Sequence, residues 1–128
     1  MKRVSVLVLA ALLAGVSSKA VVHNVPFVIG FHPLHGAAQP YVGQLFLTFN
    51  NGIISGKYTD ISVRPGSPLA DQTNVRVTGS VSDDGTLRLI IRQLTFRGTM
   101  KDNWMSGDVN VRGGLYVFEA EQGKVAGF

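Results

Sequence analysis

The constraint that most narrows the fold of this chain is parity. From Tyr41 onward, apolar side chains fall on alternate positions, and short turn-forming segments recur at intervals that keep those positions on one face. A slip of one residue at any turn would swing the next strand's apolar set into water, so turn length and strand pattern must agree. Asn51-Gly52 is a favoured two-residue hairpin pair, and a loop of that length sets Phe49 against Ile54, Leu47 against Gly56 and Leu45 against Tyr58. A three-residue loop at Asp83-Asp84-Gly85, with glycine in the left-handed position, brings Val75, Val77 and Val81 to the same face as Leu87, Leu89 and Ile91. A turn at Asp102-Asn103 pairs Met100 with Met105 and Phe96 with Val109 inside, and sets Arg97 opposite Asp108 and Thr99 opposite Ser106 outside. Gly113-Gly114 reads as the last turn, bringing Val111 to Tyr116 and Val109 to Phe118.

Between Ile91 and Leu94 the inward set changes parity. Arg92-Gln93 is poor turn chemistry, so the pattern predicts a bulge within one long strand from Thr86 to Lys101. Phe27, Ile29 and Phe31 alternate between Pro26 and Pro33, which predicts an edge strand and excludes a central one. No stretch after Ala20 carries a helical period. The expected fold is therefore all-β: an antiparallel meander of seven or eight strands, closed into a small barrel in preference to a sandwich, because closure leaves no unpaired edge. Arg64 to Asn74, with Pro65, Gly66 and Pro68, is its long loop.

The chain has 128 residues, enough for one domain. Its first twenty read as a cleavable signal peptide: Lys2 and Arg3 precede the apolar run Val4 to Val16, and Ser18-Lys19-Ala20 supplies small residues for cleavage after Ala20. Residues 21–128 then form the single all-β domain, exported to the periplasm or the exterior. Lys2, Arg3 and Lys19 leave with the segment, so nine of the 12 basic side chains remain against 8 acidic ones. That near-balance speaks against a nucleic-acid partner. An outward face carrying Arg, Lys and Asp speaks against stable membrane insertion after cleavage. With no cysteine, the domain must hold itself together by apolar burial alone.

The run Gly43-Gln44-Leu45-Phe46-Leu47-Thr48, followed by Asn51-Gly52-Ile53-Ile54-Ser55-Gly56-Lys57-Tyr58, resembles the opening hairpin of avidin-type biotin-binding proteins, which are calycin-like small barrels. Val77-Thr78-Gly79 and Trp104-Met105-Ser106-Gly107 echo later strands of that family. The resemblance implies a closed barrel with an interior ligand and Tyr58 at a ligand-contacting position. The chain departs from the family in having Trp104 as its one tryptophan, where the family uses several, and in placing Asp60 where a small hydroxyl residue is usual.

Three candidate sites follow from the residues. Tyr58, Phe96, Tyr116 and Phe118, with Phe49, line the expected interior, as a ligand pocket or simply as a core, and Gly56, Gly98 and Gly107 leave inward positions bare. Bending or close approach of strands is the expected reason for those glycines. On the outer face Arg76 should sit opposite Arg92, with Arg88 further along, and Arg64 lies in the long loop; these arginines suit an anionic partner. His32 and His35 present two imidazoles to a metal but lack a third ligand at suitable spacing. There is no cysteine nucleophile and no Gly-x-Ser-x-Gly elbow, and turn chemistry accounts for the adjacent carboxylates Asp83 and Asp84 and for Asp102. The function expected is an exported non-enzymatic binding module, without cofactor, for a small molecule or a protein. The alternative is an interaction module such as a hydrolase inhibitor that inserts the loop Arg64 to Asn74.

Overall fold

Asn51 and Gly52 adopt positive φ angles of 54° and 78°. This is the backbone twist that a two-residue hairpin needs, and the flanking strands pair as parity demands, with Phe49 opposite Ile54 and Leu45 opposite Tyr58. The computed structural model describes residues 21–36, 40–61 and 73–125. In it that hairpin joins β2 (Tyr41–Asn50) to β3 (Ile53–Asp60). Before them runs β1 (Val21–Pro33); after them come β4 (Val75–Val81), β5 (Thr86–Ile91), β6 (Leu94–Lys101), β7 (Trp104–Val111) and β8 (Gly114–Gln122). Each strand pairs with the next and β8 pairs with β1, so the eight strands close into an antiparallel barrel. Closure leaves no row of unpaired backbone groups to recruit another chain.

The β4–β5 connection is the three-residue loop, with Gly85 at φ 91° and its N–H donating to Ser82 O at 2.9 Å. Asp84 fastens it: its carboxylate accepts from the Ser82 hydroxyl and from the Thr86 N–H, and these bonds hold its pKa down to about 2. At Asp102-Asn103 the expected register also holds, with Met100 opposite Met105 and Arg97 opposite Asp108.

Three expectations are corrected. Arg92-Gln93 is a two-residue turn and not a bulge: Arg92 adopts φ 58°, Ile91 pairs with Leu94, and the stretch Thr86 to Lys101 is a hairpin of two strands. Flanking residues of such a turn share a face, which is why the inward set changes parity there. The last turn is Arg112-Gly113, not Gly113-Gly114. Arg112 and Gly113 take φ 53° and 83°, the Gly113 N–H donates to Asn110 Oδ1 at 2.9 Å, Val109 pairs with Tyr116, and Phe118 pairs with Gly107. The difference is a slip of two residues, which preserves every face, and it sets the large Phe118 ring against a bare glycine.

β1 is also not an edge strand, because it pairs on both sides. Pro26 is tolerated because its carbonyl accepts from Gly123 N (3.0 Å). Its missing N–H faces that same side, just past Phe27↔Gln122, where the β8 ladder ends.

The core fills the barrel. Phe27, Ile29, Phe31, Leu45, Leu47, Tyr58, Val77, Leu89, Ile91 and Phe96 have no accessible surface. Phe31 stacks on Tyr41 at 4.8 Å and meets the edge of Phe96 at 5.3 Å, and Phe96 meets Phe118 at 5.3 Å. Gly98 faces Gly107 across β6 and β7, and the backbones approach so closely that a Cβ on Gly107 would collide with Arg97 O and lie 2.6 Å from Gly98 Cα. Close approach of strands is thus the reason these two positions are bare.

Candidate functional site

Inside the barrel, Tyr58, Phe96 and Phe118 are completely or almost completely buried, and only Tyr116 of the four expected interior residues is part-exposed. A side chain with no accessible surface has no water-sized space beside it. The Tyr58 hydroxyl donates to Asp60 Oδ1 at 3.2 Å, and its ring lies across Gly43, where any Cβ would overlap it. Burial first, and the neighbouring Asp60 second, push the Tyr58 pKa well above the tyrosine range, so the phenol stays neutral. Tyr41 and Tyr116 cap this end of the core with ring centres 5.8 Å apart.

Outside, the charges are sorted. Lys57 on β3 sits directly opposite Arg76 on β4. Arg88 on β5 sits directly opposite Arg97 on β6. All four side chains are exposed, as is Arg92 in the turn that joins β5 to β6. The β4–β5 ladder ends at Val77 opposite Ile91, so Arg76 and Arg92 flank its end. Between these cations runs a row of Ser55, Thr78, Ile90 and Thr95, paired side by side across β3 to β6. Asp108, Glu119 and Glu121 are exposed on β7 and β8, with Asp108 directly opposite Arg97, and Asp83 and Asp84 are exposed in the β4–β5 turn. Among the described residues no carboxylate comes within ion-pair distance of Lys57, Arg76, Arg88, Arg92 or Arg97. Like charges directly opposite on neighbouring strands are destabilising, so two such pairs on one wall oppose folding.

At the end of that wall the indole of Trp104 is 39% exposed. It stands between Lys101 on β6 and Glu121 on β8 in the same cross-strand row. With Asp102 and Asn103 these three residues line a shallow groove of about 290 Å³.

Of the residues expected to bind an anionic partner, Arg76, Arg88 and Arg92 therefore share one wall, while Arg64 and residues 62–72 of the long loop lie outside the described residues, as does the segment 1–20. Lys57 and Arg97 belong to the wall and were not singled out. Treating Thr86 to Lys101 as one strand hides the opposition of Arg88 and Arg97, which a two-residue turn at Arg92-Gln93 gives directly by counting outward. His32 and His35 are both exposed near the end of β1. The His32 Nδ1 lies 3.1 Å from Pro33 O, which can only accept, so that nitrogen donates. Among the described residues no group of three or more His, Asp or Glu converges on a point.

The closed, eight-stranded antiparallel meander has the geometry of a small calycin-like barrel. No family model and no curated protein matches the sequence, and no solved structure matches the fold.

Proposed function

We propose that this protein is an exported, non-enzymatic binding module that captures a polyanion on the outer wall of its barrel, across β3 to β6. The observation that carries the reading is the pair of like-charge oppositions, Lys57 with Arg76 and Arg88 with Arg97. Like charges so paired cost stability, although Asp108 faces Arg97 from its other side and offsets part of the second cost. Along β3 to β6 the exposed strand charges are all cations, which supports a locally positive field there despite a nearly balanced total charge, with Asp108 opposite Arg97 marking its edge. The filled interior favours the wall over the barrel's inside as the binding surface. The signal-like sequence pattern of residues 1–20 supports export, and the charged side chains of the outer wall support a barrel that faces water.

The experiment is chromatography of the mature protein on immobilised dextran sulfate with a salt gradient. Expected is retention that weakens steeply with salt and is lost in the quadruple variant Lys57→Gln, Arg76→Gln, Arg88→Gln, Arg97→Gln. Unchanged retention of that variant, with the fold intact by circular dichroism, overturns the reading. Avidin-type kinship has the meander and the Gly43 to Tyr58 hairpin in its favour; against an interior ligand stands the Tyr58 hydroxyl, which is committed to Asp60.

A further inference from the structure

We infer that the polyanion is an acidic polysaccharide, and that the groove at Trp104 holds one of its sugar rings while the arginines beyond hold its acidic groups. The inference rests on the polyanion-binding wall proposed above and names what that wall binds. It is carried by three observations on one continuous surface.

The first is position. Trp104 is cross-strand neighbour to Lys101, and on β6 the side chains of Arg97, Thr99 and Lys101 emerge on the same outer face. At strand rise, Lys101 and Arg97 stand about 13 Å apart, the reach of a short oligosaccharide; Arg88 lies beside Arg97 on β5 and Asp108 lies beside it on β7, so the acidic groups would be held on the β5 side. One extended chain laid along β6 would meet the groove at one end and the paired arginines at the other.

The second is the chemistry of the groove. An exposed indole offers a flat apolar face with a polar edge, which matches the C–H face of a pyranose. Asp102 and Glu121 flank it as acceptors, and Lys101 and Asn103 add donors. Two carboxylates beside the indole repel a phosphate or an acidic peptide placed there, whereas ring hydroxyls donate to them. The groove therefore selects a polyhydroxylated ring, and the arginines select its acidic substituents.

The third is size. About 290 Å³ lies at the lower end of small-ligand sites, suited to one ring of a longer chain. Specificity would then come from the groove and most of the attraction from the wall.

Trp104 is the chain's one tryptophan, so its emission reports on the groove directly. The mature protein is titrated with a hyaluronan hexasaccharide, in which neutral N-acetylhexosamine rings alternate with acidic ones, and, separately, with inorganic polyphosphate of matched charge, following emission and its quenching by acrylamide. Expected is that the hexasaccharide shifts the emission and shields Trp104 while polyphosphate does neither. Trp104→Ala should weaken hexasaccharide binding on the order of tenfold and leave polyphosphate binding within about twofold; Trp104→Phe should recover part of the loss. Hexasaccharide binding that is salt-dependent and sensitive to Arg88→Gln with Arg97→Gln, but leaves the emission and the Trp104→Ala variant unaffected, overturns the glycan inference and leaves the polyanion wall standing. Binding of either polymer that ignores the arginine substitutions, or no binding of either, overturns both.

Discussion

The backbone N–H of Val125 donates to the side-chain oxygen of Gln44 at 2.8 Å. Gln44 lies on the outer face of β2 yet has no accessible surface, because the chain beyond β8 crosses over it. Its Nε2 lies 3.0 Å from Gly123 O, 3.1 Å from Phe27 O and 3.2 Å from Leu45 O. One amide thus fastens the last described residues across β1. Gln44→Met, which keeps the volume and removes the donors and acceptor, should free residues 123–125 and cost about 1–3 kcal/mol. Loss of hydrogen-exchange protection at the Val125 amide, together with a lower Tm, is the expected readout.

Gly107 admits no side chain, because a Cβ there runs into the backbone of β6. Gly107→Val should therefore destabilise by about 3 kcal/mol or more, through backbone displacement and overpacking. A denaturant melt measures it. A folded variant of unchanged stability would show that β6 and β7 can part at no cost.

Tyr58, buried beside Asp60, should resist ionisation while the barrel is folded. Its folded pKa lies above the unfolded value near 10.0. Below that value both states keep the proton and the barrel's stability is unaffected. Above it the unfolded chain releases a proton that the folded chain retains, so stability falls as pH rises. Ultraviolet titration of the phenolates should show one tyrosine ionising only as the barrel unfolds in alkali, and Tyr58→Phe should abolish that step.

Arg88→Glu turns the opposition with Arg97 into an attraction and should raise stability by about 0.2–1 kcal/mol while weakening polyanion binding. The two effects, measured on the same variant by thermal melting and by dextran sulfate retention, should move in opposite directions. A variant that loses stability would mean that the like-charge pair does not burden the fold.

Arg92 holds a left-handed backbone conformation that costs a residue with a side chain. Arg92→Gly relieves about 1–2 kcal/mol of strain against about 0.5–1 kcal/mol for the freedom glycine adds to the unfolded chain, so stability should rise modestly, read as an increase in the midpoint of urea unfolding.

That same residue marks how far the fold can be read from the sequence. Turns whose residues advertise their geometry, Asn51-Gly52 and Asp83-Asp84-Gly85, fix loop length and register together, and the barrel follows from them. At Arg92-Gln93 and Arg112-Gly113 an arginine takes the left-handed position, a role its side chain does not announce. The second error was invisible for a further reason: a slip of two residues leaves every apolar side chain facing inward, and alternation detects only odd slips. The cost fell on the candidate site, since two cations of the basic wall become cross-strand neighbours only when Arg92-Gln93 is a turn. The proline rule failed at β1 because strands in a closed barrel are staggered, so even a central strand has ends flanked on one side alone.

The seam between β1 and β8 joins Phe27 to Gln122, and this governs when the barrel can exist at all. Until β8 is available, β1 has only β2 beside it, and every shorter intermediate is an open ribbon. Closure is the most non-local pairing in the molecule, and therefore its slowest kind of contact to form. Hairpins can form one after another along such a meander, but the barrel itself exists only after its two outermost described strands have met, so the whole sheet gains its closed form in a single late step.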